Sequence, residues 1–180
     1  PIASTWATSV RIAPGRASHP GGFCRAPLSS GSASVAPLRQ GWDHEDVSEY
    51  PVVLTLPVRW GDMDALGHVN NTVYFRWFES ARMAYMERVG IPLRPNGDVG
   101  PILAQTECSF LQPVTYPAEV RVGARVSSMG TTSFVMDYQV DVVGAGTAAK
   151  GLGVIVLLNY SSGKPTSIPE PIRQRIADFG

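Results

Sequence analysis

Cysteine is scarce. Only Cys24 and Cys108 occur in 180 residues, which excludes a disulfide framework and leaves no metal-ligand spacing. His19, His44 and His68 stand apart from both cysteines, so neither a zinc site nor any other metal is expected. Long apolar runs are missing too. The longest, Val154 to Leu158, is strand-sized, and no membrane span is expected. Residues 1–42 contain no acid and no lysine, only four arginines. All 15 acids lie from Asp43 onward against 11 basic residues, a net charge of about −4 for that part. So mildly acidic a body does not invite phosphate backbones, which argues against a nucleic-acid partner.

What the first 42 residues do have is Ser, Ala, Gly, Pro and Arg without an apolar period. Such a segment cannot bury enough surface to offset its ordering entropy. Residues 1–45 are therefore expected to be a disordered or targeting-like extension, and residues 46–180 the folded domain. An acid-free, Arg- and Ser-rich leader fits an organelle transit peptide. That reading would place the protein in a mitochondrion or plastid; an arbitrary tail would leave it cytoplasmic.

Patterning is cleaner from Tyr50 onward. Val52, Leu54, Leu56, Val58 and Trp60 alternate with other residues, a period-2 strand signature, and Pro57 calls for a sheet edge or a bulge. A helix is expected from about Thr72, with Tyr74, Trp77, Phe78, Ala81, Tyr85 and Val89 at three- and four-residue spacings. Its other faces carry Phe75, Met83 and Met86, leaving little of it fit for water. Gly90 and Pro92 stop it. Strands follow over Ile102–Leu111, around Val120–Val126, from Phe134 to Val142, and over Lys150–Tyr160. Ser127–Gly130 and Gly144–Gly146 read as turns. A short helix is expected from about Pro169 to Phe179, with Ser167 as a possible cap. One aromatic helix and one antiparallel meander predict an α+β fold in which the sheet curls around the helix.

Between the first strand and that helix lies Val58-Arg59-Trp60-Gly61-Asp62-Met63-Asp64-Ala65-Leu66-Gly67-His68-Val69-Asn70-Asn71. A carboxylate beside a helix N-terminus, where unpaired N–H groups can hold a developing oxyanion, points to hydrolysis. Asp64 is the carboxylate selected. The competing structural role for it is a cap on its own loop. Asp62 is expected to fix the turn or pair with Arg59. His68 suits either positioning of water and carbonyl or scaffolding of the loop. Asn70 and Asn71 are cap residues first and substrate-orienting groups second. Gly67 is expected to take a positive φ or to admit an acyl group.

A strand ending in Arg59-Trp60-Gly61-Asp62-Met63-Asp64, followed by Gly67-His68-Val69-Asn70-Asn71 and Tyr74, resembles the hotdog-fold acyl-CoA thioesterases of the 4-hydroxybenzoyl-CoA thioesterase type. The likeness covers roughly residues 50–178, including Gly153–Tyr160, Gly163-Lys164-Pro165 and Ile168-Pro169. The His-Val-Asn-Asn run also resembles plant acyl-carrier-protein thioesterases, which have two hotdog repeats where this chain has room for one. The resemblance implies a homodimer or tetramer built by joining sheets edge to edge, with active sites at the dimer interface. It implies Asp64 as base or nucleophile, the Asn71 N–H as carbonyl donor, and no cofactor. His68, Asn70, Gly67 and Tyr74 fall around the implied site. One departure stands out: the founding enzyme has mostly apolar residues where this chain has His68-Val69-Asn70-Asn71.

The expected function is hydrolysis of a fatty or aromatic acyl-CoA, or of an acyl-carrier-protein thioester, to free acid and thiol. Alternatives are an acyl-CoA hydratase or dehydratase using Asp64 with His68, and a non-catalytic acyl-CoA-binding dimer. Arg121 and Arg125, on the polar strand face, could meet CoA phosphates. Cys108 is expected to be a small buried hydrophobe, not a nucleophile.

Overall fold

The computed structural model describes residues 46–92 and 98–179. The expected extension over 1–45 lies outside the described residues; the described chain opens with Val47–Glu49, a single 3-10 turn capped by the Asp46 carboxylate. The elements are β1 (Val52–Pro57), α1 (Asn71–Arg88), β2 (Val99–Phe110), β3 (Glu119–Met129), β4 (Ser133–Val142), β5 (Gly146–Asn159), β6 (Lys164–Pro165) and α2 (Glu170–Phe179).

The strands form one antiparallel sheet in the order β1-β3-β4-β5-β2, with the short β6 on β5. The meander runs β3-β4-β5, as short turns require. Both strands flanking the helix in sequence become sheet edges: β1 leaves Pro57 at an edge, where its missing N–H costs no ladder bond. This is the α+β hotdog arrangement expected, with α1 lying across the curled sheet.

Alternation decides which residues meet the helix. Val120, Val122 and Ala124 of β3, Phe134, Met136, Tyr138 and Val140 of β4, and Ile155 and Leu157 of β5 are all buried. Against them α1 lays Val73, Tyr74, Trp77, Phe78, Ala81, Tyr85 and Met86. Phe78 stacks on Tyr138 with centroids 4.8 Å apart, directly over Gly151, whose missing Cβ makes the room. The helix is not buried on most sides, however. Asn71, Thr72, Arg76, Glu79, Ser80, Glu87 and Arg88 are exposed, because one sheet covers one face.

Several boundaries differ from expectation: β1 stops at Pro57, with Trp60 in a 3-10 turn, and β2 begins three residues early, at Val99. β3 continues through Ser127 and Ser128 to Met129, because a bulge between Val126 and Ser128 absorbs an extra residue and lets pairing resume. β5 starts at Gly146, four residues early, again with a register shift beside Val140. In α2 the carbonyl of Pro169 accepts the first bonds, from Ile172 and Arg173, so Ser167 lies outside the helix. α1 ends as the sequence predicts: Gly90 has φ 73°, and Arg175 of α2 donates through Nε to the Val89 carbonyl at 2.7 Å.

Candidate active site

The chain between β1 and α1 is a tightly bonded loop. Trp60–Asp62 make a 3-10 turn; Asp62 accepts from the Arg59 N–H at 2.9 Å and pairs with the Arg76 guanidinium at 3.6 Å. The turn-fixing role expected of Asp62 is what the geometry shows, with Arg76 replacing the Arg59 side chain as ionic partner. The Asp64 N–H then donates to the His68 carbonyl at 2.8 Å, and Gly67 N–H returns to the Asp64 carbonyl at 3.1 Å. Gly67 sits at φ 81°, with open space where a Cβ would stand. An L side chain there would be strained by conformation, not by contact.

Asp64 is half-buried, and its Oδ1 accepts the Leu66 N–H at 2.8 Å. This bond fixes the carboxylate's direction through one oxygen. The capping and the chemical reading of Asp64 are therefore compatible.

At the helix start Asn70 is the N-cap: its Oδ1 accepts from Thr72 N–H at 3.0 Å and from the Thr72 hydroxyl at 2.7 Å. Its own N–H donates to the Asp62 carbonyl at 2.9 Å, tying the cap to the loop. Asn71 is the first helical residue, so its N–H has no intrahelical acceptor and carries part of the helix dipole's positive end.

Asp64, His68, Asn71 and Tyr74 come together, lining one cleft of about 390 Å³ with Val69, Phe110, Leu111, Gln112 and Pro113. His68 and Asn71 are exposed at its mouth, while Tyr74 is buried, packing edge-on against Phe110 with centroids 5.0 Å apart. Burial raises the Tyr74 phenol above its ordinary pKa, with the nearby Cys108 thiol adding to the shift, so at neutral pH it is an uncharged wall. Burial also pushes the Cys108 thiol up to about 12, which removes it as a nucleophile near neutrality. Gly67 opens instead onto a second cleft on the other side of Asp64, and Asn70 supports the helix start without lining either.

The opposite wall was not foreseen from the sequence. Phe110 through Pro113 arrive from the end of β2, held by Leu111 N–H to the Ala148 carbonyl at 2.8 Å. The Val69 N–H donates to the Val114 carbonyl at 2.8 Å, stitching that segment to the motif loop. Such long-range pairing leaves no local pattern. Arg121 and Arg125 do not join the cleft. They lie on the sheet face away from α1, where Arg125 sits over the Tyr50 ring at 4.7 Å and 3.9 Å from Asp137.

Among the described residues no three of His, Cys, Asp and Glu gather closely enough to hold a metal ion, and no helix is long and apolar enough to cross a membrane.

Residues 58–176 match the family model of the thioesterase-like superfamily. The chain is similar to a solved Thermus thermophilus thioesterase in complex with coenzyme A and zinc. That pair is 40% identical, covering 71% of this chain and 98% of that one, at a TM-score of 0.63. A Pseudomonas aeruginosa candidate thioesterase is 36% identical over 71% of this chain and 99% of its own, at a TM-score of 0.65. A chloroplastic acyl-acyl carrier protein thioesterase of Arabidopsis thaliana is 29% identical over 129 residues, 69% of this chain and 66% of the relative.

Proposed function

The chain belongs to the thioesterase-like superfamily and is a thioester hydrolase, and from that premise we propose that it hydrolyses an acyl-CoA at the Asp64 cleft as a homodimer. The observation that carries the site is a fixed carboxylate and a helix N-terminus facing one cleft with an apolar wall. A free oxygen of Asp64 takes a proton from water as the oxygen attacks the thioester carbon. Negative charge moves to the carbonyl oxygen, held by the Asn71 N–H and the helix dipole. The C–S bond then breaks, and the proton on Asp64 passes to the departing sulfur. Free acid and thiol result, with Asp64 restored and no cofactor consumed. His68, at the mouth, orients the water, and Tyr74 with Phe110 receives the acyl group. Direct attack by Asp64, through an anhydride, is the variant of this step that isotope labelling distinguishes: single turnover in ¹⁸O water would then leave label in the carboxylate.

Coenzyme A as thiol carrier is supported by the Thermus relative, which was solved with it. The Arabidopsis relative acts on a carrier-protein thioester, the second carrier to test. Support for the dimer comes from β2, a 12-residue edge strand whose residues 103–107 are all exposed. Among the described residues nothing pairs with its outer side, and an edge of that length is a template for a second copy.

Asp64→Asn keeps an oxygen to accept the Leu66 N–H, so the loop should persist while the base is lost. Thiol release from a panel of short, long and aromatic acyl-CoAs should fall by about 10²–10⁴ in kcat with an unchanged circular dichroism spectrum. Near wild-type turnover in that variant would sink the assignment of Asp64. Enoyl-thioester hydration without thiol release by the wild type would instead establish the hydratase reading.

A further inference from the structure

Asp64 borders two clefts, not one. The first holds the helix N-terminus and descends onto Tyr74 and Phe110. The second, of about 490 Å³, is lined by Trp60, Gly61, Met63, Asp64, Gly67 and Tyr116. Its aromatic walls are poorly covered: Trp60 is 78% exposed and Tyr116 48%. An indole left in water beside a reactive carboxylate forgoes a large burial gain, which marks it as a surface awaiting an occupant. The walls are nonetheless fixed. Met63 Sδ accepts the Tyr116 N–H at 3.3 Å, and Trp60 belongs to the bonded 3-10 turn.

A thioester carbonyl carbon has two substituents that must leave it in different directions. The carbonyl oxygen belongs with the Asn71 N–H, in the first cleft. The dry wall of Tyr74 suits an acyl group, which ends inside the protein. The second cleft has no buried residue in its lining and suits an arm that must run on to a carrier in water. We propose that the Trp60–Met63–Tyr116 cleft binds the thiol-side arm of the substrate, an amphipathic pantetheine whose methyl groups and amides lie between the two aromatic faces. The assignment rests on the thioesterase reading and makes Trp60 and Tyr116 determinants of thiol-carrier recognition. Because pantetheine is common to CoA and acyl carrier protein, the cleft reads the part they share.

The test uses the full chain and one acyl group on three thiols: CoA, pantetheine and N-acetylcysteamine, which lacks the distal arm. In the wild type, kcat/KM should favour the pantetheine thioester over the truncated one. In Trp60→Ala and in Tyr116→Ala that advantage should shrink about ten-fold, carried by KM, a change of about 1.4 kcal/mol. Trp60→Phe should restore most of it. Separately, free pantetheine and CoA should change the tryptophan emission of the wild type and not of Trp60→Phe, a reading that needs no turnover. An arm-length advantage unchanged in both alanine variants would overturn the proposal. So would a changed preference among acyl groups on one fixed thiol, or a changed sedimentation coefficient, since those outcomes place the two rings against acyl chain or partner subunit. Absent hydrolysis of every thioester, with the Trp60-dependent emission change intact, would fault the hydrolase reading and leave the arm site standing.

Discussion

Cys108 shows how one side chain's surroundings settle its chemistry. It lies on β2 opposite Gly151, half-buried near Tyr74 but outside the cleft lining, and burial alone drives its thiol pKa from 9.0 to about 12. At pH 8 the thiolate fraction drops by about three orders of magnitude against an ordinary thiol. Alkylation of Cys108 by iodoacetamide at pH 8 should accordingly be slow in the folded protein and fast after denaturation, as followed by mass spectrometry of the peptide carrying it. The same shift has a stability consequence with a definite sign. A raised folded-state pKa contributes stability that is complete below the unfolded value, near pH 9, and is lost as pH climbs toward 12. Tyr85, pushed by burial from 10.0 to about 12, acts in the same direction one unit later. Thermal unfolding midpoints should thus fall steadily above pH 9, and less steeply in Cys108→Ala. The sequence already pointed to a small hydrophobe and not a nucleophile, because no histidine has a sequence reason to lie near Cys108. It did not place Arg82, Gln139, Asp141 or Lys150 as buried: Gln139 donates to the Asp141 carboxylate at 3.0 Å and faces Lys150 across the ladder, a polar pairing between strands that leaves no local pattern.

Individual elements were legible where a single face repeats and obscure where strands depart from regular pairing. The apolar spacing from Tyr74 to Val89, with Gly90 as terminator, reproduces α1 closely, since capping and amphipathicity are local properties. β3 outran its expected turn because Ser127 and Ser128 read as turn residues when they form a bulge, which depends on the partner strand. β5 illustrates the same limit from the other side. Its glycines look like strand breakers, yet Gly151 is where the Phe78 ring of α1 reaches down onto the sheet. A Cβ built there would lie 2.5 Å from Phe78 and 2.6 Å from the Glu107 carbonyl. The second neighbour is backbone of an adjacent strand and cannot swing aside. Gly151→Ala should destabilise the fold by about 1–3 kcal/mol, the usual cost of overpacking a core. It should also weaken the Phe78–Tyr138 stack, so near-ultraviolet circular dichroism would change along with the melting curve. A melting temperature equal to the wild type would mean that Phe78 does not sit this close to Gly151.

At the scale of the molecule, the site's position follows from topology. The motif loop leaves β1 at one edge of the sheet, and the far wall of its cleft comes from the end of β2, the opposite edge strand. The curl of the sheet and the span of α1 bring those two together, which is why half of the cleft was visible in the sequence and half was not. Among the described residues the same topology leaves β2 without a neighbour on its outer side. Leu103, 41% exposed, opens its exposed run, with Phe110 and Leu111 uncovered at the end nearest the catalytic loop. If two copies pair along β2, the apolar rim of each cleft is closed by the partner, and assembly and activity become linked quantities. Leu103→Lys puts a solvated charge on that edge, a substitution of the kind that keeps natural edge strands apart. In a monomer it should be nearly neutral, within about 0.5 kcal/mol, since the side chain already meets water. In a dimer it sets two lysines near a common two-fold axis, and sedimentation velocity should show a protein-concentration-dependent shift toward monomer. Specific thioesterase activity should fall with dilution in step with the dimer fraction and recover at high concentration. Unaltered sedimentation together with unaltered activity would remove β2 from the interface and require the cleft to be complete within one chain.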